Sequence, residues 1–267
     1  MRSGLSWGKK QKNCDPQNPG DETKGDQWDH TGIDVPSRFV ISLVIGKRSK
    51  ESVKEVVADF AERTGNVPPV LTTTDDCSTY ADALLAQYGE TVVPAKTGEP
   101  GRPRKSFKQW PKTAVYATVN KTYGRGAVTA VDRKLVHGTE EDLARSLEFS
   151  SCSNKINTAF VERQNGTDRS YNARKARKTY QYSKDLFVHI AVTWWVMLCY
   201  NFHHLHAGLR QRCADGTYLH RTPAMSIGLA SQPLTVCELI STQVVGYTPP
   251  TLSSADCGTQ GAQEPDP

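Results

Sequence analysis

The chain predicts an α/β fold: a mixed sheet flanked by helices, with a helical C-terminal portion. Three observations carry that expectation. Short β-branched runs, Arg38 to Ile45 and Val70 to Thr74, alternate with segments of helical periodicity. Two further alternating runs, Thr113 to Asn120 and Ala127 to Val136, are joined through Gly124 and Gly126. The uncharged stretch Leu186 to Phe202 suits a helix buried against a sheet.

In chain order, Asn13 to Asp29 is rich in Pro, Gly, Asp and Asn and reads mostly as loop. Trp28 to Asp34 and Arg38 to Ile45 read as an antiparallel pair around a turn at Pro36-Ser37. Ser49 to Arg63 reads as a helix. Val53, Val56, Val57, Phe60 and Ala61 recur at helical spacing, Ser52 and Glu55 suit a capping box, and Gly65 is the terminator. Val70 to Thr74 is a short buried strand with Asp75 at its end, and Ser78 to Tyr88 is a second helix closed by Gly89. Residues 90 to 112 carry Pro94, Pro100, Pro103 and Pro111 and read as a long loop. After the two strands come a short helix, Glu140 to Leu147, and a longer one, Asn154 to about Arg177, weakened by Gly166. The apolar helix spans Lys184 to about His206, and composition predicts disorder from Pro249 onward.

Hydrophobic residues make up 37% of the chain and charged residues 23%, enough to bury a core. The net charge of +5 is mild, but the cations cluster after Glu162 and around Arg102-Pro103-Arg104-Lys105, a pattern that attracts phosphate backbones. The seven cysteines, Cys14, Cys77, Cys152, Cys199, Cys213, Cys237 and Cys257, are scattered. They make no disulfide framework and no zinc spacing, so free thiols and a cytoplasmic location are expected. The first residues lack the apolar core of a signal peptide. Leu186 to Phe202 is at the short edge of the ~17–25 residues a membrane span needs. His189, Thr193 and Asn201 interrupt it, so no membrane partner is expected.

The candidate chemistry lies in Asn157 to Asn165 (NTAFVERQN) and the cations beyond it. Glu162 is a single carboxylate at the head of a basic, helix-compatible segment. On a helix, Glu162, Asn165 and Arg169 share one face, while Ile156 and Phe160 fall towards the opposite face, against the sheet. Asp75 stands just past a buried strand, where α/β sheets place functional groups; its bland role is to cap the next helix. Carboxylates from separate elements can converge on magnesium or manganese, hard ions that select oxygen ligands, for phosphoryl transfer. Arg163, Arg169, Arg174, Lys175, Arg177 and Lys178 would track a DNA backbone, and a solubilising, salt-bridged face is the competing reading. In His203-His204-Leu205-His206, two imidazoles have chelating spacing on a helix. Further ligands are not evident, and a stacked, partly exposed helix end accounts for them better.

In these residues the chain resembles transposases of the insertion-sequence-one type. The resemblance runs from about Gly8 to Leu239. It rests on Gly8-Lys9-Lys10-Gln11-Lys12-Asn13, Thr73-Thr74-Asp75, Phe149-Ser150 and Asn157 to Arg169. It continues in Tyr200-Asn201-Phe202 with His206, Leu209 and Arg210, and in Thr222-Pro223-Ala224-Met225 with Gly228-Leu229. The resemblance implies an RNase H-like fold and an Asp-Asp-Glu active site with magnesium or manganese. In it Asp75 would be the second acid and Glu162 the third, both metal ligands, with Asn165 and Arg169 supporting the Glu helix or the DNA end. The implied partner is double-stranded DNA, as transposon ends and target, and a homo-oligomer is compatible with it.

The chain departs from the family at one point. The family opens its sheet with a strand of the form Asp-Glu-Leu-Trp-Ser-Phe-Val that carries the first acid. Met1 to Trp7 (MRSGLSW) has none, and the family's zinc-binding and helix-turn-helix portion is missing. Asp29 and Asp34 are the nearest substitutes, and Asp34, at the turn, reads as structural. The expected organisation is a remnant strand and loop at 1–27, an RNase H-like domain at 28–183, a helical portion at 184–240 and a disordered tail at 241–267. Two functions are expected from this. One is a transposase for DNA cleavage and strand transfer that lacks an acid and is inactive alone. The other is a non-catalytic DNA-binding or assembly module derived from one. A membrane-anchored protein using Leu186 to Phe202 is a third, weaker reading.

Overall fold

Periodicity places most of the elements, and the computed structural model fixes their bounds. It describes residues 5–7, 11–15, 17–21, 24–94, 104–150, 152–175 and 185–242. The elements run β1 (Leu5–Trp7), β2 (Gly25–Ile33), β3 (Val40–Gly46), α1 (Lys50–Arg63), β4 (Leu71–Asp75), α2 (Ser78–Tyr88), β5 (Glu90–Val92) and β6 (Phe107–Gln109). They continue with β7 (Val115–Gly124), β8 (Ala127–His137), α3 (Glu140–Ser150), α4 (Ala159–Tyr171) and α5 (Leu186–Phe202). β9 (His206–Arg212), β10 (Tyr218–Arg221), α6 (Pro223–Ser226) and α7 (Val236–Ser241) complete them.

The fold is α/β with a mixed sheet, as expected, but its strands form two three-stranded groups and two two-stranded pairs, β5–β6 and β9–β10. One of the three-stranded groups is antiparallel, in the order β1-β2-β3. The other is mixed: β4 runs parallel to β7, and β7 antiparallel to β8. The β7–β8 turn has Arg125 and Gly126 at φ of 48° and 85°. Positive φ at both central residues is what a two-residue hairpin demands, and glycine meets it at least cost.

Helices cover both faces. Val53, Val56 and Val57 of α1 and Ala83 and Leu84 of α2 pack with Val44 and Tyr116. On the other side of β7, Val115, Ala117 and Val119 pack with Leu143 of α3 and with Ile156. Each of the Val, Leu and Ile side chains among them contributes about 1.5–3 kcal/mol when fully buried. Gly32 makes the α1 contact with β2 close, since a Cβ there would stand 2.5 Å from Ser42 Oγ and 2.7 Å from Phe60 Cδ2. The cap of α1 is Ser49, whose hydroxyl accepts from Ser52 N–H at 3.3 Å, and not the expected Ser52–Glu55 box.

The apolar helix α5 packs on β3 through Met197 and Tyr200, against Val40 and Leu43. Asn201 joins the two like a ladder rung. Its Oδ1 accepts from Val40 N–H at 3.0 Å and its Nδ2 donates to Val40 C=O at 2.9 Å. Asn201→Leu leaves both buried backbone groups unpaired and is expected to destabilise the fold by roughly 2–4 kcal/mol, measurable by urea unfolding. No helix among the described residues is long and apolar enough to cross a membrane.

Three expectations are corrected. The 184–240 portion is not all helical, because α5 stops at Phe202 and the hairpin β9–β10 follows. The loop at 90–112 contains the paired strands β5 and β6. The helix expected from Asn154 to Arg177 is only Ala159–Tyr171. Buried Asn172 leaves helical geometry, its Oδ1 accepts from Arg174 N–H at 3.1 Å, and a 3₁₀ turn at Ala173–Lys175 bends the chain back. The tail expected to be disordered lies, from residue 243 on, outside the described residues.

Candidate functional site at the end of the β4–β7 ladder

Asp75 is the last residue of β4 and pairs with Val119 of β7, which pairs in turn with Arg133 of β8. The Thr74 hydroxyl meets the Tyr116 hydroxyl at 2.8 Å, so Thr74 points to the α1–α2 side of the sheet. Strand alternation then turns Asp75 to the opposite side, with Val119, Arg133 and Lys121. The bland role for Asp75 is excluded, since the N-cap of α2 is Cys77 and no side chain bonds there. The Asp75 carboxylate is exposed and makes no hydrogen bond or ion pair among the described residues.

The same side of the sheet carries the start of α4. Arg133 Nε donates to Ile156 C=O at 2.7 Å, and buried Ile156 seats this chain on Val115, Ala117 and Val119. Arg38, in the β2–β3 turn, lays its guanidinium over Phe160 at 3.8 Å. One turn into α4, Glu162 Oε1 accepts from Thr158 Oγ1 at 2.7 Å and is ion-paired with Lys121 Nζ. Lys121 stands two residues beyond Val119, about 8 Å from Asp75 between Cα atoms on ideal strand spacings. The two predicted acids therefore reach the same end of one sheet from separate elements. The charge of Asp75 also extends across the edge. Burial raises the Tyr80 and Tyr116 hydroxyls, and Asp75 pushes them further the same way. Burial lowers His30 on β2, against the pull of Asp29 and Asp75.

The implied magnesium or manganese ions do not fit these donors as they stand. Among the described residues no three His, Cys, Asp or Glu side chains gather to hold a metal. Of the two acids that approach, Glu162 already has an ammonium on one oxygen. The chain matches no family model, no curated protein and no solved structure.

The predicted DNA-binding residues separate. Arg163 is exposed, and Arg169 and Arg174 are partly exposed. Asn165 is buried, so it does not share an open face with Glu162. The inward face of α4 is polar. Gln164 Nε2 lies 3.7 Å from Met197 Sδ, and Gln164, Asn165 and Asp168 are all buried. Lys175 is corrected outright. Its side chain is 1% exposed and its Nζ lies 2.7 Å from Asp168 Oδ2 and 2.9 Å from Asp29 Oδ2, so it has no reach to a phosphate. Arg177 and Lys178 lie outside the described residues. Neither substitute for the first acid is free. Asp29 is held by Lys175, and Asp34 accepts from Ser37 N–H at 3.0 Å across its turn.

The histidine run is no chelate, because its rings go three ways. His203 Nδ1 meets Leu234 C=O at 2.7 Å, His204 stacks on Tyr171 at 4.2 Å, and His206, already in β9, meets Tyr200 edge-on at 4.6 Å. Lys121 is not singled out by the sequence, and His189 shows there only as an interruption of an apolar run. A lysine within an alternating strand and a histidine within an apolar helix carry no local signal of their partners.

Proposed function

We propose that the chain is a DNA-holding module derived from an RNase H-like transposase of the Asp-Asp-Glu class, and that it does not cut DNA unaided. The observation that carries this reading is the arrival of Asp75 and Glu162 at one end of the β4–β7 ladder, with Arg163, Arg169 and Arg174 on or just after the Glu162 helix. The element order supports the fold half of the reading: three antiparallel strands, a helix, then β4 parallel to β7 beyond α2. In this reading the exposed arginines contact duplex phosphates, which fix position without reading sequence. Among the described residues, magnesium or manganese would meet only Asp75 and Glu162, too few oxygens for the two-ion chemistry of strand transfer.

The Lys121–Glu162 pair favours the non-catalytic form over a merely weakened enzyme, because the ammonium already neutralises one Glu162 oxygen that a metal ion would need. Two results are expected. Labelled duplex incubated with the protein and Mg²⁺ or Mn²⁺ is bound but neither nicked nor joined. Lys121→Ala, which frees Glu162, tightens Mn²⁺ binding roughly fivefold by calorimetric titration, about 1 kcal/mol. Nicking by the unmodified protein that disappears in Glu162→Gln would overturn the non-cutting half of the proposal.

A further inference from the structure

Arg38, in the β2–β3 turn, has φ of 62°, a backbone conformation that few residues other than glycine adopt. Such strain persists where the surroundings over-determine it. Asp34 N–H donates to Phe39 C=O at 2.8 Å across the turn, and Arg38 Nη1 donates to Val35 C=O. Two residues on, both backbone groups of Val40 are held by Asn201 of α5. The turn therefore fixes a half-buried guanidinium beside the end of α5, where it lies over Phe160 of α4. Arg163 stands three residues beyond Phe160, on the same face of α4. Tyr200, the neighbour of Asn201, is 5% exposed, and its hydroxyl makes no hydrogen bond among the described residues. Burial pushes that hydroxyl up to about 12, and Arg38 and Arg163 both pull it back. His206 meets the Tyr200 ring edge-on, and its Nε2 is buried without a partner. Neither arginine has an ion-paired carboxylate among the described residues. Asp34, whose charge reaches Arg38, is engaged by Ser37. Burial lowers the Arg38 guanidinium, and Arg163 pushes it the same way.

We propose that Arg38 and Arg163, with the Tyr200 hydroxyl, form a site for a single phosphate group. Two guanidinium groups held near each other with no acid to neutralise them repel, and an oxyanion shared by both relieves that repulsion. Arg38 gives one N–H to Val35, and its remaining donors, those of Arg163 and the hydroxyl are free. Donors arriving from separate elements suit a tetrahedral phosphate, whereas a planar carboxylate is filled by a single guanidinium fork. Arg163 alone would be an ordinary surface cation. Arg38, fixed by its turn, is what makes the position specific. Two sources share this chemistry: a backbone phosphate of duplex DNA, for which the inference rests on the DNA-holding reading, and a free phosphate, for which it does not.

The test is the melting temperature of the full chain titrated with inorganic phosphate at constant ionic strength, with acetate as the control anion. Phosphate also stabilises folded chains by exclusion from their surface, but equally in every variant. The site is therefore read from the difference between the parent, Arg38→Gln and Arg163→Gln. The parent should show a saturable rise with phosphate that acetate does not give. Each variant should need at least about tenfold more phosphate for the same rise, having lost hydrogen bonds between charged groups. Arg163→Gln changes an exposed side chain, so it reads the site even where Arg38→Gln disturbs the turn. A rise that does not saturate, that acetate matches, or that is the same in the parent and Arg163→Gln would overturn the site. Binding of a labelled duplex at several salt concentrations then separates the sources. A log–log salt slope lower by up to about 0.9 in Arg38→Gln assigns the site to a DNA phosphate. An unchanged slope beside weakened phosphate binding upholds the site and assigns it to free phosphate. Failure of the parent to bind duplex at all counts against the DNA reading alone.

Discussion

Lys175→Met is expected to cost about 3–5 kcal/mol of stability, the usual penalty for breaking a buried ion pair from one side. In a chain of this size that is a fall in melting temperature of about 10 °C or more. The ammonium lies between Asp29 of β2 and Asp168 of α4, and all three side chains are at most 5% exposed. Methionine fills the space but leaves two carboxylates facing each other without a counter-charge. Burial already raises the Asp168 carboxyl above its ordinary 3.8, and Lys175 opposes that rise. A raised carboxyl means that the folded state holds its proton more tightly than the unfolded chain does. That contribution is present at low pH and is lost as pH rises from 3.8 through the raised folded value. Removing Lys175 widens that window upward, so the gap between variant and parent should narrow on acidification. Thermal melts at a series of pH values measure both the size and the trend. A gap that stays constant with pH would contradict the assignment.

The second large effect is loss of stability on mild acidification, with His189 as its chief source. His189 lies buried on α5, and burial lowers its imidazole to about 4, with Lys175 pushing the same way and Asp168 opposing. Below its ordinary 6.5 the unfolded chain takes up a proton that the folded state refuses until about pH 4. Stability is therefore full above pH 6.5 and falls through that interval, by about 3 kcal/mol in all. Asp168 acts with the opposite sign and blunts the acid end of the fall. His189→Gln should flatten the profile between pH 6.5 and 4. Urea midpoints across that range check it, and an unchanged slope in the variant would contradict the assignment.

What the sequence discloses and what it hides follow from the range of the forces involved. Strands β2, β3, β4 and β7 and helices α1, α2 and α5 are close to their expected places, because apolar periodicity is local and each packs on a buried cluster, and β8, largely exposed, follows from its alternation and its hairpin with β7. The end of α4 was hidden because it depends on Asn172 and on Lys175 turning back to Asp168 and to Asp29, far away in the chain. The same pairing turned an expected DNA contact into a core residue. β9 (HAGLRQR) has neither an apolar run nor clean alternation, and only its partner β10 makes it a strand. The site was half visible. Asp75 stood out by its place after a strand, and Glu162 by its neighbours. Lys121, which brings Glu162 back to the sheet end, had no mark of its own.

The central claim is that the arginines on and just after the Glu162 helix hold duplex DNA by its phosphates. The most direct measurement is fluorescence anisotropy of a labelled duplex at several salt concentrations, for the parent chain and for Arg163→Ala/Arg169→Ala/Arg174→Ala. Log affinity should fall linearly with log salt. The triple variant should lose up to about 0.9 of slope for each phosphate contact removed, with its melting temperature nearly unchanged. Undetectable binding at low salt, or binding whose salt slope is the same in both proteins, would contradict it.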